Sequence, residues 1–488
     1  MPAAKTAWPF SPPALTRYTA RSLALAVWLA LGGCSLVPAF HEPEMAVAPT
    51  WDAEQKTASN PATGGPWWEE FHSAELNDLV ARGFNRNFTL KAAISRIEEA
   101  RAVAHVTGAT QYPLVSLGGD FQRKNSSSTT RTADVFGDAS YELDFWGKNR
   151  AAADSSTALA NASVFDAQTL RMTLGANIAT TYFQVLSLED RLRLAQSIAD
   201  DAKQVLDLVE YQASQGAVSN LEVEQQRNAW QTFVAAMPPL RQQRDAALYQ
   251  LAILVGVAPQ GFKLQASGLQ SLIVPEPASG LPIGLLRQRP DIQAAEARLQ
   301  SANFDVGVAR AAYFPSLTLD LQKGIDTLTG SGIWSLVGTL AQPVFAGGQL
   351  DGQLHHDQAH VRELADSYRE SVIEALQDVE TQLSASRELD QEFTLNQAAV
   401  TSARESARLA QVRYRLGTTD FQTLLIVERT QYQAEDTLLQ IRLQHLQAGV
   451  GLFRALGGDF AAINLANAAA GTDANLAASS SSFQASRP

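Results

Sequence analysis

The sequence predicts a mainly α-helical fold with a β-barrel contribution, in which long coiled-coil helices and four β-strands form one unit written twice. The first observation is the duplication: Leu90 aligns with Ile292, and Gly216 aligns with Gly417, at offsets of 202 and 201 residues. The second is an apolar period of about 3.5 residues over two very long segments. The third is strict alternation over four short segments.

Each copy contains one very long predicted helix, residues 151–213 and 352–416, preceded by a shorter Ala-rich helix over 88–111 or 291–313. The first long segment has no proline and a single glycine, Gly175. Its apolar spacing alternates between four and three residues: Leu174, Ile178, Thr181, Val185, Leu188, Leu192, Ala195, Ala199, Ala202, Leu206 and Val209. Roughly 65 residues at about 1.5 Å each give a helix of about 100 Å.

Each long helix is predicted to turn back at a glycine, Gly216 or Gly417, because glycine accepts the positive φ of a helix C-cap. Ser219 and Asp420 are the expected N-caps of the returning helices. In the first copy Pro238-Pro239 should kink or split the returning helix. Residues 256–289, rich in glycine and proline, join the copies.

Alternating residues predict two β-hairpins, 113–146 and 315–346, with the last strand over roughly 333–345. One face of each strand is apolar, and the other carries the candidate lumen-facing acids Asp120, Asp138, Glu142, Asp144 and Asp320. This pattern is typical of a lipid-facing, water-lined barrel, although a half-buried soluble sheet shows the same alternation. Since four strands cannot close a barrel, the membrane interpretation requires several chains.

The N-terminus has the features of a secretory signal over residues 1–33. A basic region is followed by a short apolar run, and then by Cys34, the only cysteine. Leu31-Gly32-Gly33-Cys34 resembles the lipobox of bacterial lipoproteins, which implies diacylglycerol and N-acyl groups on Cys34, and Ser35 resembles the outer-membrane sorting pattern. Ordinary cleavage beside an incidental cysteine is the alternative. Residues 34–66 are expected to form a tether, and 459–488 a flexible tail.

Composition and missing motifs exclude several classes of protein. The formal charge is −12, and removal of Lys5, Arg17 and Arg21 with the signal leaves −15, which disfavours nucleic-acid binding. Beyond residue 34 no uninterrupted apolar stretch is long enough for a transmembrane helix. The motifs of hydrolases, zinc proteases and nucleotide-binding enzymes are absent, so no catalytic residue and no cofactor other than the lipid is expected.

The order of these segments, together with four local motifs, resembles the TolC-like outer-membrane efflux family and its lipidated OprM/NodT-type branch over residues 34–458. The motifs are YELDFWGKNR (141–150), RQRPDIQAAEARL (287–299), ARAAYFPSLTL (309–319) and QPVFAGGQL (342–350). The two repeats would span 67–270 and 271–458. The resemblance implies a homotrimer in which each chain adds four transmembrane strands to a shared β-barrel and its long helices to a periplasmic α-barrel.

The resemblance further implies a passive conduit for multidrug efflux in the outer membrane, a periplasmic adaptor protein and an inner-membrane transporter of the resistance-nodulation-division type. The helix turns would be the periplasmic tips that contact the adaptor: Gly216, Ala217, Val218, Leu416, Gly417 and Thr418. The exit duct of a type I protein-secretion system or of a metal-ion efflux system is the alternative. A coiled-coil lipoprotein that only spaces the envelope layers is a third hypothesis, and the alternating strands argue against it.

The aperture differs from the family pattern. Tyr414 matches the family's tyrosine, whereas Thr419 stands in place of its arginine, and Thr423 and Ile426 stand where relatives carry aspartates. Tyr414, Asp420 and Thr423 are therefore the aperture candidates, and no acidic ring is expected. Asp420 fits a capping role at least as well as a gating role.

One histidine cluster is chemically suggestive. His355, His356, Asp357 and His360 lie together, and His356 and His360 would share a helical face, as zinc ligands often do. A wet polar surface near the junction of strands and helix explains the same residues. These histidines are weak metal candidates, and no metal site is expected.

Overall fold

The computed structural model of the chain describes residues 35–52, 66–125, 129–265, 268–275, 284 and 288–458. The signal, Cys34 and the tail lie outside the described residues, as do parts of the tether and of the joining segment. The elements in chain order are α1 (Ala74–Arg86), α2 (Phe88–Gly108), β1 (Leu114–Asn125), β2 (Thr129–Leu143), α3 (Lys148–Ser214), α4 (Asn220–Val255), α5 (Pro290–Ala311), β3 (Ser316–Asp326), β4 (Gly332–Ala341), α6 (Gln349–Arg415) and α7 (Phe421–Ala455).

The long helices α3 and α6 have 67 residues each, so each extends about 100 Å. The predicted apolar seam of α3 is the buried face of that helix. Ile178, Val185, Leu188, Ala195, Ala199, Ala202, Leu206 and Val209 are all nearly inaccessible to solvent, while Thr181 and Leu192 are half-buried. Among the described helices, none is both long and apolar enough to cross a membrane.

The two helical turns use the predicted residues. Gly216 and Gly417 have φ values of 73° and 67°, the left-handed region that favours glycine. Ser219 forms a capping box with Glu222, whose carboxylate accepts a hydrogen bond from the Ser219 backbone N–H at 3.2 Å. Asp420 accepts a hydrogen bond from the Thr423 backbone N–H at 2.8 Å.

The prediction for Pro238-Pro239 was a kink or a split, and the split does not occur, because α4 continues through both prolines. The flanking residues Met237 and Leu240 are buried in a cluster that includes Leu188 and Ala195 of α3. Packing on both sides of the prolines holds the chain helical despite the missing backbone donors.

The four strands form one antiparallel sheet in the order β1-β2-β3-β4. Two strand ends differ from the prediction. β2 ends at Leu143, since the next residue, Asp144, accepts a hydrogen bond from the Arg150 backbone N–H at 2.8 Å and thereby caps the start of α3. β4 ends at Ala341 rather than near residue 345, because Pro343 cannot donate to a strand ladder.

The chain divides into two compact units. One comprises Met1–Glu42, Ala100–Ala160 and Arg298–Ala365, and the other Pro43–Glu99, Asn161–Ala297 and Asp366–Pro488. In the first unit, buried small residues of α3 and α5 let helices approach closely, and the Ser155 and Ser301 hydroxyls are 2.9 Å apart.

The second unit has an aromatic core. Trp67 of the short WWEEF turn stacks on Phe453 at 5.6 Å between ring centroids, and Phe71 lies 5.0 Å from Phe183. Gly175 allows this packing, because a Cβ there would lie 3.2 Å from the Phe84 ring.

Candidate functional site

The strand register places the acidic residues of the sheet on one face. Asp120 lies opposite Asp134, and Asp138 lies between Ser116 and Gln322 on its two neighbouring strands. Asp320 lies opposite Ser140, whose hydroxyl donates to its carboxylate at 2.6 Å. Four of the predicted lumen-facing acids, Asp120, Asp138, Glu142 and Asp320, are therefore on strands of one sheet.

The fifth predicted acid, Asp144, lies beyond the end of β2 and caps α3, as described above. Glu142 is also engaged, since Lys148 Nζ lies 3.3 Å from its carboxylate. Asp134 lies opposite Asp120 and was not predicted as a lumen-facing acid. Two like charges directly across a strand pair are unfavourable unless water separates them, so this pair favours a hydrated face.

The opposite face of the sheet is apolar and uncovered in the single chain. Leu117 is 89% exposed, Trp334 77% and Leu340 69%. The register continues this face across the strands by placing Leu317 opposite Leu340 and Leu321 opposite Leu336. An exposed apolar surface of this kind requires cover by lipid or by another protein.

The edges of the sheet are open in the single chain. Within the part of the chain that the structure describes, β1 pairs only with β2, and β4 pairs only with β3. Unpaired backbone groups in a membrane are highly unfavourable, so these edges need further strands.

The predicted tip residues lie at the ends of the helical hairpins, within the second unit. Gly216, Ala217, Leu416, Gly417 and Thr418 are exposed, with Leu416 72% exposed, and Val218 is half-buried. Beneath these turns a small cluster contains Leu206, Val209, Val223 and Phe421. Both tips thus expose backbone above a packed cluster, and the second tip also exposes the large apolar side chain of Leu416.

The aperture candidates have different surroundings. The Tyr414 ring packs on Phe421 at 5.7 Å, and burial raises the pKa of its hydroxyl. Asp420 is exposed and caps α7, and its hydrogen bonds from the Thr423 backbone N–H and hydroxyl lower its pKa. Thr423 is thus a partner of this cap, and Ile426 is 57% exposed.

Buried charges between the helices near the tips were not predicted. Glu428 is only 9% exposed, and burial raises its pKa although the Gln411 amide donates to it at 3.2 Å. Burial raises the pKa of Asp201, and the negative charges of Asp200 and Glu435 raise it further. Glu435 pairs with Arg404 at 2.6 Å. These residues interrupt the apolar seam, so periodicity gives no signal for them.

The histidine cluster forms separate pairs. His356 Nδ1 lies 2.8 Å from Asp357 and His360 Nδ1 lies 3.2 Å from Glu363, while the two imidazole rings are 6.4 Å apart. Among the described residues no group of three or more His, Cys, Asp or Glu side chains is arranged to hold a metal ion. The shared helical face brings the two imidazole rings near each other, while each ring lies beside a different carboxylate.

Comparison with known proteins identifies this arrangement. The sequence profile of a family described as Outer membrane efflux protein matches residues 81–257 and 281–458, more than half of the chain, in two copies. The chain belongs to the outer membrane efflux protein family. It is 36% identical over 441 residues to the pyoverdine export outer membrane protein OpmQ of Pseudomonas putida, and the alignment covers 86% of this chain and 94% of OpmQ.

Two further matches agree. The chain is 28% identical over 457 residues to the cation efflux system protein CusC of Escherichia coli, covering 89% of this chain and 98% of CusC. It matches the solved structure of the outer-membrane channel OprN with a TM-score of 0.81 and 28% identity, covering 88% of this chain and all of OprN. The predicted TolC-like family and the predicted fold class are confirmed.

The family assignment settles the coarse function. This outer membrane efflux protein is an exit duct of an efflux pump, located in the outer membrane and extending into the periplasm, and its family is one of conduits rather than enzymes. The relatives do not favour the alternative of a protein-secretion duct.

Proposed function

We propose that this outer membrane efflux protein is the lipid-anchored, homotrimeric exit duct of a tripartite multidrug efflux pump, joined to a periplasmic adaptor and an inner-membrane transporter of the resistance-nodulation-division type. The observation that carries the proposal is the sheet, which has one acidic face, one exposed apolar face and two open edges. Long helices follow each hairpin, so the sheet and a periplasmic helical duct belong to one chain.

The open edges argue for several chains. Outer-membrane barrels have at least about eight strands, and this chain contributes four to its sheet. Pairing β4 of one chain with β1 of the next closes the sheet, covers both edges and keeps all acidic faces inside. The TolC-like resemblance implies three chains.

The acidic face supports a cation-favouring lumen. Asp120, Asp134, Asp138 and Asp320 give the inner wall a negative potential, whereas neutral polar residues would give only a wet wall. We expect Asp138→Asn and Asp320→Asn together to reduce cation selectivity, measured as the reversal potential of the purified trimer in planar bilayers under a salt gradient. Asp390→Asn, on α6 outside the sheet, is the matched control. An unchanged reversal potential would support the merely hydrated wall.

The tips are proposed to bind the adaptor. Leu416 is the largest exposed apolar side chain among the predicted tip residues. We expect Leu416→Asp to abolish complementation of drug sensitivity in a strain that lacks the native duct, while trimer levels remain normal. Ile253→Asp, at a comparably exposed position on α4, should complement fully. Full complementation by the Leu416 variant would remove this tip from the adaptor interface.

Cys34 is the proposed site of the lipid anchor, and the barrel gives the trimer a second hold on the membrane. Cys34→Ser should therefore slow assembly or mislocalise part of the protein without abolishing the channel, as measured by membrane fractionation and semi-native electrophoresis. Complete loss of trimer from the membrane would contradict this expectation.

The whole proposal is tested by deletion of the gene. Loss of the duct should raise accumulation of several unrelated drugs and lower the inhibitory concentrations. Unchanged tolerance to drugs and solvents, in a strain without a second duct, would count against multidrug efflux. OpmQ is named for pyoverdine export and CusC for cation efflux, so relatives of this fold serve different cargoes.

A further inference from the structure

Residues 35–38, which directly follow Cys34, are seated on one face of α5 in the first unit. The Asn303 side-chain amide donates to the carbonyl oxygen of Pro38 at 2.8 Å, and Arg310 donates to the carbonyl oxygen of Leu36 at 3.4 Å. Gly307 lies between them, and the spacing of four and three residues puts all three on the same helical face. Asn303 is 9% exposed, and its bond to Pro38 is partly shielded from solvent.

Gly307 forms a notch for Val37. A Cβ on this glycine would lie 2.5 Å from the side-chain atom Val37 Cγ2, which is closer than real Cβ contacts, and 3.0 Å from the backbone atom Val37 Cα, which is a very tight contact. Gly307 lies in α5, and glycine in a helix interior is unfavourable. The close approach of residues 35–38 gives a reason for a glycine at this position.

The seated segment ends beside a cavity. Ser35 Cα lies 4.0 Å from the position of a Cβ on Gly147, at the start of α3. Ser35 and Val37 line a cavity of about 610 Å³ together with Tyr141, Leu143, Phe145 and Phe304. In the sequence Ser35 directly follows Cys34, so a lipid on Cys34 is attached one residue away from a residue that lines this cavity.

We propose that this cavity is a binding site for the lipid carried by Cys34, in which the first carbons of an acyl chain pack between the N-terminal segment, the end of β2 and Phe304. The inference rests on the proposed lipidation of Cys34. It adds that the lipid anchor is packed against the protein where the first hairpin ends, and is not joined to it only by a flexible chain.

The lining suits the proximal part of a lipidated cysteine. Tyr141, Leu143, Phe145 and Phe304 offer apolar surface to methylene groups. Gln111 and Arg150 also line the cavity and carry N–H donors for the ester and amide carbonyl oxygens near the glycerol. The site thus combines apolar side chains for the acyl chain with donors for its head, and the carboxylates of Asp144 and Asp154 complete its polar side.

The test is photo-cross-linking in the full-length protein expressed in its host membrane, with p-benzoylphenylalanine in place of Phe304. Mass spectrometry of the cross-linked peptides should show the N-terminal peptide attached through its acyl group. Gly307→Val should lower this yield at least about tenfold, because the added side chain displaces Val37. Gly352→Val, in α6 where a Cβ would meet nothing within 4 Å, should leave the yield unchanged.

Asn303→Ala removes one hold on the segment without adding bulk and should lower the yield in the same direction, which covers the case that the Gly307 variant does not fold. Cross-links only to bulk phospholipid, or only to the peptide of residues 35–38, would overturn the proposal. An unchanged yield in both variants would also overturn it. An N-terminal peptide with an unmodified Cys34 would instead refute the proposed anchor itself, so the two failures are distinguishable.

Discussion

The two long helices α3 and α6 occupy equivalent positions in the two copies, but they bury different side chains. Each begins and ends at positions 201 residues apart, and each has 67 residues. α3 buries Tyr182 and Phe183 completely, whereas the aligned residues of α6 are the buried Leu383 and the half-buried Ser384. Of the two long helices, α3 therefore supplies aromatic rings to this core, which Phe453 of α7 also joins.

The second copy also has a buried seam, which includes Val372 and Val379, but it leaves other apolar residues of α6 uncovered in the single chain. Ile373 of α6 is 57% exposed and Val412 43%, while the seam of α3 is covered over most of its length. The difference teaches that equal length and period do not imply equal burial.

The largest expected effect breaks the core of the first copy. Phe183→Ala removes a fully buried ring that packs on Phe71 and Tyr182, and should lower the free energy of unfolding by about 3–5 kcal/mol. Denaturant unfolding followed by circular dichroism measures the change. Ser384→Ala, at the aligned position of α6, should change it by less than about 0.5 kcal/mol. Equal losses in both variants would show that the two copies bury this position alike.

The second prediction concerns a proline at aligned positions of the two returning helices, α4 and α7. Pro239 in α4 aligns with Gln440 in α7, whose amide donates to Asp436 at 2.7 Å. Gln440→Pro should cost about 3 kcal/mol, because it removes a ladder donor and its ring meets the carbonyl of Asp436. Pro239→Ala should instead raise the unfolding free energy by about 1 kcal/mol.

Thermal unfolding of both variants checks this pair. If Gln440→Pro is tolerated as well as the native Pro239, then helix α7 adapts as α4 does, and the packing of Met237 and Leu240 is not what holds α4 together.

Much of the fold could be predicted because it follows from local rules. Period 3.5 gave the seam of α3, positive φ required Gly216 and Gly417, and alternation gave the strand faces. The continuity of α4 through Pro238-Pro239 could not be predicted, since it depends on packing against α3. The end of β2 was missed because Asp144 continues the alternation, although its carboxylate caps a helix.

The candidate site was predicted in the same uneven way. The alternation of apolar and polar residues predicts the acidic faces of the strands. The strand register, which the sequence does not show, places Asp120 opposite Asp134. The seat of residues 35–38 on Gly307 involves residues more than 260 positions apart, which a single sequence does not relate. The features that were not predicted therefore depend on contacts between residues far apart in the sequence.

The third prediction concerns aligned positions on the returning helices, where Glu428 is buried and Arg227 forms exposed pairs with Glu210 and Glu224. Burial raises the pKa of Glu428 above its ordinary value, so its contribution to stability is fully present below the unfolded pKa and is lost as pH rises through the folded pKa. Glu428→Gln should add about 1 kcal/mol at pH 8 and little at pH 4.

Unfolding free energies of the native protein and the variant at several pH values measure this dependence. Arg227→Gln is the matched control, and its exposed pairs should matter little at any pH. A native stability that does not fall between pH 4 and 8 relative to the variant would show that Glu428 is solvated in the protein in solution.

The smallest expected effect separates the two tips. Asp420 satisfies two donors of α7, the Thr423 backbone N–H and hydroxyl, whereas Ser219 and Glu222 cap α4 reciprocally. Loss of the Asp420 carboxylate leaves the first turn of α7 without its cap, so Asp420→Ala should speed amide hydrogen exchange in that turn roughly fivefold. Ser219→Ala should act only on the first turn of α4, and Thr423→Val, which keeps the backbone bond, should have a smaller effect than Asp420→Ala. If Asp420→Ala leaves exchange unchanged but alters the conductance of the purified trimer, Asp420 gates the aperture rather than capping the helix.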